Sequence, residues 1–502
     1  MKEKLLVVLI SVCVLAIVNL PIAYFYFARK DNFVFLGRRV VNSQDFYTYA
    51  AFVEQSRQGR NLFENLYTSE PQKPSLLRPS YLIIGRLAGL FRISSVIALH
   101  VSRVILSIIL LFVLYRFIFK FFRDPNKRIL AFLIVVVSNG FGTINWVPEA
   151  ITFLALGEPP HFILSQIFIL LGFYFFMEYL EKRDYKFIFV FSLIFFLLSL
   201  EHPFDIAVIS PTIFFTSLWM GSSVFEAIFL ALIVSFGLVY QVFEVFSNSV
   251  FKFWANQNVL MSPSLHDVVL GYGFLIPLSF VGVEKFFKKL TYERKLLLVW
   301  FFWGIVLIYS PFSFQRRMIE GLHVPMAILS VYGVFRFYRV VRHYKEFALA
   351  CLLVILSAAS LQYVYNDFAV ISNQANHWYY FIDKDELAGI DFLGKHTNIG
   401  DVIFANKDYG NIIPGLIGRK VYIGHSVQTI DLDNKITAAN SYLLDTNDFS
   451  SIDFLRRNKI TYIFLGKNDS MIRYGFNPDE RSYLSKIYSE NGVGIYAFKE
   501  RN

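Results

Sequence analysis

Only 17% of this 502-residue chain is Asp, Glu, Lys or Arg, so the ionisable groups that gather between its apolar runs mark where chemistry can occur. The first is Asp45, in Ser43-Gln44-Asp45-Phe46-Tyr47. A carboxylate within hydrogen-bond reach of a hydroxyl can serve as general base; the same residue can equally cap a helix start or neutralise Arg38 and Arg39. A second cluster is Gln315-Arg316-Arg317 with Glu320 and His323 shortly after. Two adjacent guanidiniums can clamp a phosphate, because the planar fork binds its oxygens bidentately. Arginines that snorkel to lipid headgroups give the same pattern. If the stretch is helical, Arg316, Glu320 and His323 share a face at i, i+4 and i+7; alternatively the helix begins only at Pro325. Two further clusters pair an acid with a histidine: Glu158-Pro-Pro-His161 and Glu201-His202-Pro-Phe-Asp205. Ionisable groups so near hydrocarbon usually face a cavity or a partner, and we expect these five residues, with Gln315 and Glu320, to line a polar pocket. Two ligands per cluster need not converge, so a divalent metal is not favoured and no cofactor is called for. Arg78, before Pro79, is a further candidate phosphate contact.

The elements that must hold these residues are hydrophobic. The composition is 55% apolar and 18% aromatic, while a soluble globular chain has about a quarter of its residues charged. An integral membrane protein follows. The net charge of +10 lies mainly in short clusters between apolar runs, as orientation signals do, and not in the stripe expected of a nucleic-acid binder. Cys13 and Cys351 each sit inside an apolar run, so neither a disulfide nor a metal pair is expected. Lys2 and Lys4 precede an apolar stretch without a small-x-small cleavage pattern, which reads as an uncleaved first span.

A spanning helix needs about 20 mostly apolar residues. That rule places eleven spans near 5–27, 94–119, 129–147, 161–180, 186–200, 206–221, 226–246, 268–284, 296–310, 325–341 and 347–365. With the N-terminus inside, four basic loops fall on the cytoplasmic side: Lys120 to Arg128, Lys182 to Lys186, Lys285 to Lys295, and Arg336, Arg339, Arg342 and Lys345. The outer side then receives the first loop, 29–93, all of the polar clusters above and everything after about Asn366. In that loop, residues 44–58 read as an interfacial helix with Ser43 as N-cap and Gly59 as stop. Residues 80–91 read as a second interfacial segment, too short to span. We therefore expect a transmembrane domain over 1–382 and an extracytoplasmic domain over 383–502. The latter alternates short strands with helices, as a small α/β domain with a mostly parallel sheet would. Its Gly410, Gly415 and Gly418 read as turn and cap residues. Asn468-Asp469-Ser470 fits a glycosylation sequon, a pattern too common to carry weight. No GxGxxG, Walker, GxSxG or HExxH sequence occurs.

This layout resembles the GT-C superfamily of polytopic glycosyltransferases. Asp45 occupies the place of the acid those proteins carry in the first outer loop, and the RPSYLIIG, EHPFD and FQRRMIEGLHVP stretches are similar to those of uncharacterised bacterial members. The resemblance implies a GT-C-like bundle in the plasma membrane and an outer soluble tail. It implies inverting transfer of a sugar from a polyprenyl-phosphate donor to a glycan, lipid or protein acceptor, with Asp45 as base. Arg316 and Arg317, aided by His323 or Arg78, would stabilise the departing phosphate. Many members have two neighbouring acids where this chain has Gln44 beside Asp45, which argues against a metal-assisted variant. The rival reading is a transporter or flippase of lipid-linked sugars. It requires polar residues at mid-membrane depth and discontinuous helices in related halves; here the polar residues concentrate at one surface and no repeat is visible.

Overall fold

A computed structural model of the chain describes residues 2–28, 32–144, 147–341, 344–374, 377–467, 469–473 and 475–499. Arg342 of the fourth basic loop and Asn468 of the sequon lie outside the described residues. The chain divides into two compact units. One comprises 1–21, 101–243 and 259–369; the other comprises 22–100, 244–258 and 370–502.

Among its described residues the first unit carries helices and no strand, and each of the eleven apolar segments lies at least in part on a helix, the 129–147 run only as far as Val137. Among the described residues, five are long and apolar enough to cross a bilayer: Lys2–Phe27, Ser95–Ile118, Pro160–Lys182, Gln315–Val340 and Lys345–Ser372. Two more are bent pairs, Val224–Ser235 with Leu238–Ser247 at 48° and Leu265–Tyr272 with Leu275–Phe287 at 74°. Glycine stands at both breaks, Gly237 and Gly273, and Gly273 takes a positive φ of 52°. The remaining four segments lie on Pro125–Val137, Lys186–Glu201, Ile206–Trp219 and Tyr292–Leu307, of 13 to 16 residues. At 1.5 Å per residue these are about 20–24 Å long, short of the ~30 Å hydrocarbon core. So among the described residues five spans are supported by length, or up to seven if each bent pair is one span, and the other four are shorter helices. Apolar residues stand exposed along whole helix faces: Leu5, Val8, Leu9 and Val12 on the first, and Ile105, Ile108, Ile109 and Phe112 on the second. Water would penalise such faces and lipid does not. This is a multi-pass membrane protein.

The second unit holds the sheets. β1 (Phe33–Phe35) pairs antiparallel with β2 (Phe381–Asp383), tying the start of the first loop to the start of the tail. The five-stranded sheet comprises β3 (Val402–Phe404), β4 (Lys420–Val421), β5 (Ile460–Leu465), β6 (Leu484–Glu490) and β7 (Val493–Phe498), in the order β4-β3-β5-β7-β6. β3 runs parallel to both of its neighbours, whereas β7 is antiparallel to β5 and β6. The sheet is thus mixed, where a mostly parallel one was expected. The reason is local: β6 and β7 are joined by Asn491-Gly492, with φ of +47° and +85°. Two residues of that kind make the mirror-image turn that closes a two-residue hairpin.

Two helices of the first loop pack into this unit. Asp45–Arg57 buries every residue from Phe46 to Ser56, so it is a core helix and not the interfacial one expected. Its start also differs, since Gln44 is the N-cap and makes no side-chain cap, while the Ser43 hydroxyl pairs with the Tyr379 hydroxyl at 2.9 Å. The expected stop holds, with Gly59 at φ +98°. Pro79–Phe91 does present an apolar face: Ile83, Leu87, Leu90 and Phe91 are exposed at i, i+4, i+7 and i+8, the spacing of a helix lying against an apolar phase.

The other side of Asp45–Arg57 meets helix Lys407–Ile417 at glycine. A Cβ on Gly415 would stand 2.6 Å from Tyr47 Cδ1 and 2.9 Å from the Tyr47 carbonyl oxygen. One on Gly410 would stand 2.0 Å from the Ile423 carbonyl oxygen. Both glycines lie inside the helix and only Gly418, at φ +66°, ends it, so two of the three expected turn glycines are close-approach residues. The helix ends are bound together as well. Arg419 donates to the carbonyls of Gly394 (3.0 Å), Thr397 (2.9 Å) and Ile417 (3.0 Å), satisfying C-terminal carbonyls of two helices, and Gln58 Nε2 donates to Ile417 O at 2.9 Å. Gly415→Ala is therefore expected to destabilise this unit by about 1–3 kcal/mol through overpacking. Thermal unfolding would read the loss, and hydrogen exchange would localise it to 45–57 and 407–417.

Candidate functional site

Asp45 is the first residue of its helix, where the N-terminal end of the dipole favours a carboxylate. Its Oδ1 lies 2.9 Å from Nε2 of His425, a residue 380 positions further on. The Asp45 side chain keeps 40% of its surface exposed, whereas that of His425 keeps 2%. The helix Lys407–Ile417 organises their surroundings through Asn411. Asn411 Nδ2 donates to the Gln44 carbonyl (3.3 Å), its Oδ1 accepts from Arg38 Nη1 (3.2 Å), and its carbonyl accepts from the Tyr67 hydroxyl (3.0 Å). The Ser426 hydroxyl donates to Gln44 Oε1 at 2.7 Å, so the residue beside Asp45 is engaged by the same tail loop. Arg38 is buried between aromatic faces, with its guanidinium 3.9 Å from the Tyr379 ring centroid and 5.3 Å from that of Tyr47. Burial holds the Tyr47 and Tyr67 hydroxyls well above the ordinary tyrosine range, so both remain protonated donors; Tyr47 donates to Leu36 O at 2.9 Å. Arg78 adopts a left-handed φ of 53° before Pro79 and stacks 5.1 Å from the Tyr49 ring centroid.

The other residues singled out from the sequence belong to the first unit. The 315–325 stretch is not one helix. Gln315–Ile319 is a 3-10 turn, Gly321 has φ +76°, and a new helix, His323–Val340, begins with Pro325 in its first turn, where no backbone donor is needed. Of the two alternatives, the i, i+4, i+7 face is therefore not formed, and the helix begins late, at His323, two residues before Pro325. The two arginines differ in their engagements. Arg317 Nη1 is 3.5 Å from Glu149 Oε1 and 3.4 Å from His202 Nε2, and its guanidinium lies 5.1 Å from the Phe204 ring centroid. His202 in turn holds Asp205, Nδ1 to Oδ1 at 2.7 Å, with both side chains fully buried. Arg316 is only partly buried and makes no ion pair among the described residues; its backbone N–H donates to Leu260 O at 3.1 Å.

His323 is buried with both ring nitrogens engaged. Thr152 N–H donates to Nδ1 at 3.4 Å, which puts the proton on Nε2, and Nε2 meets the Ser138 hydroxyl at 3.0 Å. Glu158 accepts from the Tyr363 hydroxyl at 2.7 Å. His161 lies in the first turn of Pro160–Lys182, its ring centroid 6.3 Å from that of His202. Glu201 ends its helix, and Glu320 is completely buried. Gln315 Nε2 donates to Ser310 O at 3.3 Å. His161, His202, Asp205, Glu149 and Arg317 thus gather in one buried polar cluster. No group of three or more His, Cys, Asp or Glu among the described residues has the geometry to hold a metal ion.

Glu149 and His425 are the two residues that sequence reading passed over. Glu149 sits in an apolar stretch, and its signal is that an acid there needs a cation. His425 stands in a short Gly-His-Ser turn, and nothing local marks its partner.

No protein-family model matches the sequence, and no curated protein matches it either. Solved structures do match in fold. The Archaeoglobus fulgidus oligosaccharyltransferase in the apo form aligns with a TM-score of 0.56 at 13% identity, covering 98% of this chain and 75% of its own. ArnT from Cupriavidus metallidurans bound to undecaprenyl phosphate aligns with a TM-score of 0.52 at 11% identity, covering 98% of this chain and 97% of its own. Nearly the whole chain, membrane helices and tail alike, enters both alignments. The chain thus shares its fold, over nearly its whole length, with the oligosaccharyltransferase and with ArnT.

Proposed function

We propose that the protein is a plasma-membrane glycosyltransferase that moves a sugar from a polyprenyl-phosphate donor to an extracytoplasmic acceptor with inversion. The observation that carries the reading is the GT-C fold over 98% of the chain, with a partly exposed carboxylate, Asp45, at a helix start in the first loop. Asp45 takes the proton of the acceptor hydroxyl. The oxygen so released forms a bond to the anomeric carbon on the face opposite the phosphate. The bond from that carbon to the phosphate oxygen breaks, and polyprenyl phosphate leaves with the electron pair. A cation must answer the charge gathering on that oxygen, which is usually a large part of the catalytic effect. We assign this to Arg316, with Arg78 as a second contact. Arg317 and His323 have protein partners of their own and hold the frame, as Glu149, His202 and Asp205 do.

Support for the donor class comes from the neighbours: the ArnT structure contains undecaprenyl phosphate, and the oligosaccharyltransferase has been captured with a dolichol-phosphate and an inhibitory peptide. The test is a transfer assay in proteoliposomes, offering radiolabelled polyprenyl-monophosphate hexoses and pentoses with a panel of glycan, lipid and peptide acceptors. Label should reach an acceptor from at least one donor. Export of intact lipid-linked sugar without transfer would instead favour the transporter.

A further inference from the structure

We infer that His425 is a positioning residue for Asp45: it donates Nε2–H to one carboxylate oxygen and fixes the plane of the proposed base. The inference rests on the reading of Asp45 given above.

The tautomer follows from the hydrogen bonds around the ring. Backbone N–H groups of Val427 and Gln428 point at His425 Nδ1, at 3.0 and 3.1 Å. A ring nitrogen that accepts such donors carries no proton, so the proton of the neutral imidazole sits on Nε2. Nε2 lies 2.9 Å from Asp45 Oδ1, and the contact is therefore N–H donation to a carboxylate. The ring is held against turning. Rotation by half a turn would break all three bonds, and Tyr67 stands edge-on with its centroid 5.6 Å away. The loop beneath is closed by Thr429, whose Oγ1 accepts from Gly424 N–H (3.2 Å) and His425 N–H (3.1 Å). Gly410 lets helix Lys407–Ile417 approach the Ile423 carbonyl just ahead of this loop, while Gly415 admits Tyr47 of the Asp45 helix on the same helix. One helix thus fixes both members of the pair. A base oriented by a third group is the arrangement on which proton abstraction in a defined direction depends. Misplacement of a reacting group by about 1 Å costs on the order of 10²-fold in rate.

Two substitutions in the full-length protein separate positioning from loop stapling. In His425→Asn the side-chain oxygen stands where Nδ1 does and takes the Val427 and Gln428 N–H groups, but the side chain is too short to reach Asp45. In His425→Gln the amide nitrogen stands near the place of Nε2 and donates to Asp45, while the backbone acceptor is lost. With the donor that wild type uses best, His425→Asn should lower kcat by about 10- to 100-fold with donor KM within about threefold, and His425→Gln should stay within about fivefold of wild type. The reverse order, Asn active and Gln impaired, would make His425 a loop staple and overturn the inference. A high-resolution structure of His425→Asn gives a readout that needs no activity: Asp45 should leave its present rotamer, and an unmoved Asp45 overturns the inference. Failure of the functional reading is distinguishable, because it appears as no transfer by wild type or as full transfer by Asp45→Asn, whatever His425→Asn does to the Asp45 rotamer.

Discussion

Asp45→Asn is expected to lower the turnover of sugar transfer by about 10³-fold, within the 10²- to 10⁴-fold that general-base catalysis typically supplies. The substitution is nearly isosteric, and the amide oxygen still accepts the His425 Nε2–H, so the loop joining the helix start to the tail is retained. It removes only the capacity to hold the acceptor's proton. Donor affinity should therefore stay within about threefold, since in the proposed reaction this carboxylate acts on the acceptor and not on the phosphate. Initial rates at saturating donor, alongside equilibrium binding of the same donor, separate the two quantities. A parallel fall in both would mean that Asp45 holds the donor or the fold.

The second large effect is expected at Arg317, and on stability rather than rate. Its guanidinium is the cation facing Glu149 and His202, and His202 carries Asp205. Arg317→Ala removes one partner of a buried charged network, which costs about 3–5 kcal/mol because the remaining carboxylate is left uncompensated. Arg317→Lys keeps the charge but not the planar fork over Phe204, and should recover part of the loss. The neighbouring Arg316→Ala should behave in the opposite manner. Its stability should stay near wild type, while donor KM rises by roughly 10- to 100-fold, the value of a charge-assisted hydrogen bond of about 1.5–3 kcal/mol. Thermal unfolding in detergent, run beside donor titrations, reads both. Two adjacent arginines with the same phenotype would contradict the separation of roles.

What could be read in the sequence was what short-range chemistry dictates. Gly59 stops the Asp45 helix and apolar runs mark the membrane helices, because these signals act within a turn or two. Asn491-Gly492 was equally local and, read as a mirror-image hairpin turn, would have given the mixed sheet directly. The burial of Asp45–Arg57 was not legible. Phe46, Tyr47, Tyr49, Phe52 and Val53 look the same whether they face lipid or a tail helix, and the partner, Gly415, lies more than 350 residues away. The pairing of His425 with Asp45 is hidden for the same reason. Likewise, Arg316 and Arg317 are indistinguishable as a dipeptide. Only the position of Glu149 commits one of them and not the other.

The most direct test of the central claim is a single-turnover experiment in proteoliposomes preloaded with labelled polyprenyl-monophosphate sugar, started by adding acceptor. Wild type should release polyprenyl phosphate and glycosylate the acceptor in one burst with inverted anomeric configuration, and Asp45→Asn should hold the same donor without a burst. Equal burst rates for the two proteins, or a product of retained configuration, would contradict the assignment of Asp45 as the base of an inverting transfer.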